Sequence, residues 1–383
     1  GFVFFPIEKI LTLHGPKAMN NEPAPAMNLL RKKIQNLLPA YFAMVMATGI
    51  VSIAAYLDGL LLFGYLLFYV NIGFLLGLGF LFIIRCIVFK KEVLEDFRSY
   101  QKGPGFLTIV AALCIVGNQF ILLFDQTGPA KAILLLAAVL WLFIIYGFFF
   151  NITVTKNKKP LQEGINGTWL VVIVSIQALS CLIASIAPDF GAHNHVYLFV
   201  AVCMFMLGCF FYLYIMSLII YRISFFSLNA NELGAPYWIN MGATAITTLA
   251  GSMIILHAEI FPLIGEILPF IKGFTLFFWA AGTWWIPLLI FLGIWRHFIK
   301  KVPVPTSPNG YDPSYWGMAF PLGMYTVCTF RLSEALDLAF LSVIPQVFIY
   351  VAIFVWLALI LGFMRHTADW VFKRGSASPG LAD

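Results

Sequence analysis

The stretch Tyr311–Thr326 reads YDPSYWGMAFPLGMYT. It places an aromatic ring, Phe320, directly before a proline, Pro321, inside a run that otherwise has the makings of an apolar helix, with Gly317 and Gly323 on either side. A proline within a helix removes a hydrogen bond and clashes with the preceding turn, at a cost of about 3 kcal/mol. In return the helix gains a bend and a freed carbonyl, which together can aim the ring. The chemistry open to such a ring is exclusion, because an apolar constriction keeps water and ions from passing.

Small and polar residues recur in four other segments and in this one: Thr48, Gly49 and Ser52; Gly117, Asn118 and Gln119; Ser175, Gln177 and Ser180; Asn240, Gly242, Thr244, Thr247 and Thr248; Gly323, Thr326 and Thr329. No Asp, Glu, Lys or Arg sits in the middle of these segments. Acidic or histidine relays are the mark of proton-coupled transport, and acidic rings draw cations; both are missing here. There are no paired carboxylates and no Ser/His/Asp set in reach, so an enzyme is not indicated, and no cofactor is called for. The six cysteines are scattered through apolar stretches without a C-x-x-C pair and read as small hydrophobes. His193 and His195 lie two apart with no Cys or further His nearby, which does not make a metal site.

The elements that must position these residues follow from composition. Of 383 residues, 61% are apolar and 10% charged, and the mean hydropathy is +0.93. A soluble chain could not hide that much apolar surface, so an all-α polytopic membrane protein is expected. A hydrocarbon core of ~30 Å needs ~20 apolar residues per helix. Ten segments qualify, near 38–56, 60–89, 105–124, 129–152, 168–187, 195–221, 236–257, 270–298, 314–331 and 344–365. With this parse, 20 of the 23 Lys and Arg fall on one side; only Lys131, Lys272 and Arg331 fall on the other. Basic loops stay in the cytoplasm, so both termini are expected there, in a plasma-membrane protein, and the net charge of +6 reflects topology and not nucleic-acid binding. The expected organisation is a cytoplasmic tail over 1–36, a ten-helix membrane domain over 37–370 and a second tail over 371–383.

The odd segments share a start: PAYF at Pro39, PGF at Pro104, NGTW at Asn166, APYW at Ala235 and DPSYW at Asp312. A turn signal followed by an aromatic every ~65–75 residues is the signature of a repeated two-helix unit. Five hairpins are therefore expected, with the polar odd helices as an inner ring in quasi-five-fold arrangement and the Leu-, Ile- and Phe-rich even helices around them. Two arrangements fit: an axial pore, or a packed bundle in which Gly and Thr only allow close approach. If there is a pore, the dipoles of five parallel helices and the basic loops favour anions at the cytoplasmic mouth. Counting four residues from each starting aromatic gives Met46, Val110, Ile173, Gly242 and Phe320, so only the ninth helix carries a ring at that level. Phe320 either plugs the axis there or packs between helices, and Gly317 and Gly323 would give the ring room. The remaining candidates for the lining are Gly49, Asn118, Thr244, Gly323 and Thr326.

PAYFAMVMATGIVSI, APYWINMGATAITTLAGS and YWGMAFPLG resemble the tellurite-resistance/dicarboxylate transporter family over about residues 36–370. That family includes bacterial tellurite-resistance proteins, fungal malate and sulfite transporters and the plant slow-type anion channels. The resemblance implies a homotrimer among membrane lipids, each protomer with its own pore of kinked odd helices. It also implies a gating phenylalanine on the ninth helix in an aromatic-x-x-Phe-Pro setting, carried here by Phe320 and Pro321. This chain departs by one residue, with three between Trp316 and Phe320. The expected function is passive conduction of small anions such as chloride or nitrate. The alternative is a secondary transporter of C4-dicarboxylates such as malate, of sulfite or of tellurite-related oxyanions.

Overall fold

The computed structural model describes residues 25–372 apart from 228, 231 and 305–310. The tails assigned to 1–36 and 371–383 fall mostly outside the described residues. Every regular element among the described residues is helical. Ten helices among the described residues have fifteen or more residues: α1 Ala43–Leu57, α2 Leu61–Val88, α3 Leu107–Phe124, α4 Thr127–Val154, α5 Val171–Ile186, α6 Asn194–Phe225, α7 Ile239–Leu256, α8 Pro262–Ile294, α9 Trp316–Leu336 and α10 Val343–Phe372.

Eight stretches among the described residues are long and apolar enough to cross a membrane. Two places separate this number from the expected ten. Gly167–Phe225 is one apolar run of 59 residues, in which the 3-10 stretch Ala187–His193 joins α5 to α6. The run turns at Gly191, whose backbone (φ 52°, ψ −121°) is not helical. The α9 helix is not among the eight, its apolar residues being diluted by glycine, tyrosine, threonine and the Arg331/Glu334 pair.

Each odd helix begins with a short 3-10 turn: Pro39–Phe42, Gly103–Phe106, Gly167–Leu170, Ala235–Trp238 and Pro313–Tyr315. Four of them carry proline in the first two positions, where the missing N–H would have had no helical partner. At the third, Asn166 Oδ1 accepts from the Thr168 N–H at 2.9 Å; Asp312 Oδ1 caps the Ser314 N–H at the same distance. The shared start in the sequence is thus a shared local structure.

At the end of the bundle opposite these starts, the connections are tight. Asp125 and Asp337 end α3 and α9 in the left-handed region (φ 52° and 55°), where a short polar side chain is tolerated, and Gly59 turns the chain after α1 at φ 86°.

The two kinds of helix bury differently. In the window spanning α1, 72% of residues are buried; in that of α2, 17%. The α2 helix buries a stripe, Gly64, Leu67, Phe68, Asn71, Leu78 and Arg85, and leaves Leu62 and Phe80 exposed. Exposed Phe143 on α4 and Phe354 on α10 continue the pattern, as expected of helices that face lipid on one side. The odd helices close a cycle of contacts: α1 with α3, α3 with α5, α5 with α7, α7 with α9, and α9 with α1.

A recurring bond ties three units shut at the basic end. Arg85 Nε, at the end of α2, donates to Gln35 O at 2.9 Å, just before α1. Asn151 Nδ2, late in α4, donates to Arg98 O at 3.2 Å, just before α3. Arg222 Nε, late in α6, donates to Gln162 O at 2.8 Å, just before α5.

Candidate functional site

A cavity of about 290 Å³ lies within the ring, and all five odd helices line it. Its wall residues nearest the helix starts are Ile50 on α1, Ile115 on α3, Ala178 on α5, Ile246 on α7 and Met324 on α9. Each lies four or five residues past the level read from the sequence at Met46, Val110, Ile173, Gly242 and Phe320. The cavity therefore begins about one helical turn beyond that level. All five residues of the level are buried, and none lines the cavity.

At that level α7 and α9 meet closely. A methyl group built on Gly242 would come within 3.2 Å of Phe320 Cε1 and 2.9 Å of Pro321 Cγ. The Phe320 ring is 2% exposed. Pro321 remains within α9, which continues to Leu336.

The other expected lining residues divide. Asn118 lines the cavity. Its Nδ2 donates to Cys114 O at 3.0 Å, and the Ser185 hydroxyl, also on the wall, is 2.8 Å from its Oδ1. Gly49 faces the seam to α2 and α3, where a Cβ would meet Asn71 Nδ2 and Ile115 Cγ2 at 2.6 Å. The Thr244 hydroxyl donates to Met241 O at 2.8 Å and sits against Gly282 of α8. Thr326 donates to Leu322 O at 3.0 Å and borders a small gap beside Pro345 of α10. Gly323 and Gly317 are unlike each other. A Cβ on Gly323 would lie 2.8 Å from Ile50 Cγ2, so this glycine sets the α1–α9 crossing. A Cβ on Gly317 would meet nothing nearer than 3.8 Å.

The far end of the cavity carries the charge. Arg331 lines it, with Nη1 2.7 Å from Glu334 Oε2. His257 lines it too, its Nδ1 2.7 Å from Met253 O. Ser185, His257 and Arg331 were not among the expected lining residues; they lie about three to four helical turns beyond the residues of the aromatic count at Ile173, Gly242 and Phe320. Among the described residues, no three His, Cys, Asp or Glu side chains converge as metal ligands. The arrangement is thus an apolar-walled chamber with a few neutral dipoles, one guanidinium at its rim and a closed floor.

Such a chamber inside a helical membrane protein accords with what the chain resembles. The family model for SLAC1, voltage-dependent anion channel, matches residues 36–364. An uncharacterized membrane protein of Mycobacterium tuberculosis is 35% identical over 172 residues, covering 45% of this chain and 84% of that one. An uncharacterized transporter of Methanocaldococcus jannaschii is 24% identical over 343 residues, 87% of this chain and 95% of the relative. The sulfite efflux pump SSU1 of Candida albicans is 24% identical over 327 residues, 77% of this chain and 66% of the pump. The chain belongs to the SLAC1 voltage-dependent anion channel family, the same group that its sequence segments resemble. It is accordingly a multi-pass membrane protein of a family that moves anions.

Proposed function

We propose that this chain is a channel that passes small monovalent anions, chloride and nitrate among them, down their gradients through the five-helix ring. On this reading the ten long helices all cross the membrane as five hairpins, with the basic end in the cytoplasm. Phe320 closes the path, and three such protomers form the trimer that the family resemblance implies. The observation that carries the reading is the position of the cavity: it ends about one turn from Phe320, where the ring lies on Gly242. The cavity's wall has dipoles but no fixed charge deeper than its rim, which suits an ion that must leave as easily as it enters.

A secondary transporter is the second reading, favoured by the printed name of one relative, a sulfite efflux pump. A doubly charged substrate held for a transport cycle calls for a fixed cation at its site, and Arg331, the only Lys or Arg among the described residues that line the cavity, stands at the rim, paired with Glu334.

The deciding experiment is voltage clamp of the wild type and Phe320→Ala in a chloride gradient, followed by malate substitution. The channel reading expects currents that reverse near the chloride potential and are severalfold larger in the variant. Silence in both, with sulfite or malate still exchanging across liposomes, would establish the transporter.

A further inference from the structure

A cleft of about 320 Å³ opens at the basic end, between the segment leading into α3 and the one leading into α5. It shares no lining residue with the central cavity. Arg98 is exposed and makes no ion pair among the described residues. Lys159 faces it across the cleft, 3.4 Å from Glu163, each side chain 60% exposed. Tyr100 contributes to the wall with its ring; its hydroxyl is buried, with no hydrogen-bond partner among the described residues. Asn157 and Gln101 add amide groups, and Gln101 Nε2 ties the two walls by donating to Glu163 O at 3.0 Å.

We infer that this cleft binds a phosphate monoester. Two cations and amide groups line one space, and the single carboxylate there already has a lysine beside it. A phosphate monoester carries between one and two negative charges at neutral pH and three acceptor oxygens, enough to engage both cations at once. Arginine meets it with a two-pronged fork and lysine with a point charge. The cleft lies where the chain's basic residues collect, the level at which lipid headgroups sit, so the same chemistry can arrive on a lipid or free in solution. A phosphate held by Arg98 and Lys159 bridges the starts of two ring helices.

The test is thermal unfolding of the full chain in phosphatidylcholine nanodiscs, titrated with inorganic phosphate against sodium chloride of matched ionic strength. A ligand of the folded state raises the midpoint. The expected result is a rise specific to phosphate, displaced to roughly tenfold higher phosphate by Arg98→Gln with Lys159→Gln. Glu163→Gln, which removes a repelling charge, should move the titration to lower phosphate. Nanodiscs containing phosphatidic acid separate the sources. A midpoint already raised without added phosphate identifies a lipid headgroup; a rise that still needs phosphate identifies a soluble ligand. Equal effects of chloride and phosphate, or superimposable titrations of wild type and Glu163→Gln, would overturn the site even if the double variant fails to fold.

Discussion

The Phe320 ring lies on the bare α-carbon of Gly242, so close that a methyl group there would sit 3.2 Å from Cε1 of the ring. The glycine and the ring come from different helices, α7 and α9, and each makes the other's position possible. Gly242→Ala asks the ring and Pro321 to yield by a few tenths of an ångström, and Gly242→Val asks for more. Overpacking of this kind costs about 1–3 kcal/mol. We expect Gly242→Val to lower the melting temperature and to leak anions, with the ring pushed from its seat. Unchanged stability and unchanged current together would show that the contact does not hold the ring.

The two glycines that flank Phe320 should respond in opposite ways. Gly317→Ala has open space and gains helix propensity worth up to about 1 kcal/mol, so stability is expected to hold or rise. Gly323→Val drives into Ile50 and Val51 of α1 and should destabilise by about 1–3 kcal/mol. Equal melting temperatures for the two variants would contradict the α1–α9 crossing described above.

Arg331 should set the attraction of anions to the rim. In a Phe320→Ala background, Arg331→Gln is expected to reduce anion current and Glu334→Gln to increase it. Both effects should be clear at low salt and fade toward 1 M, where charges are screened beyond about 3 Å. Effects independent of salt would point to packing as their cause.

Asp96 joins Arg85 and Lys102 at the basic end; its carboxylate oxygens lie 2.5 Å from Arg85 Nη2 and 2.8 Å from Lys102 Nζ. Burial pushes its pKa up, but hydrogen bonds and charge from Arg85 and Lys102 outweigh this and hold it below the usual carboxylate value. A depressed carboxylate pKa stabilises the fold above the unfolded-state value, and the gain is lost as pH falls through the folded-state value. The cluster should therefore be intact at neutral pH and fail only in acid. Asp96→Asn leaves a buried guanidinium without its counter-ion and should cost about 3 kcal/mol at neutral pH. The loss should shrink in acid, where the wild type protonates too. A constant difference in denaturation midpoint between pH 7 and pH 3 would refute the assignment.

The helices were legible because apolar length is a strong signal, and the five odd starts because proline and Asn-Gly have few other uses at such spacing. The seam residues were not. A glycine is demanded equally by a pore wall and by close helix contact, so Gly49 and Gly323 could not be sorted by type; the structure puts both against neighbouring helices. Thr244 and Thr326 satisfy their hydroxyls within their own helices, which threonine can do on any face. The four-residue count found the level of Phe320, but the register slips to five residues in α3 and α5 by the first turn of the cavity, and no sequence pattern announces that slip. The partners of Arg85, Asn151 and Arg222 were equally hidden, because backbone carbonyls have no sequence signature.

Those three bonds bear on how the chain is made. Each joins points 50, 53 or 60 residues apart, from just before an odd helix to the end of the helix after it. A unit can thus fasten itself as soon as its second helix has left the ribosome, before the next unit exists. The polar odd helix, poorly suited to lipid alone, then waits for its ring neighbours already clipped to an apolar companion. The first three pairs, α1 with α2, α3 with α4 and α5 with α6, carry this bond, and a chain halted after α4 would already contain both partners of the first two.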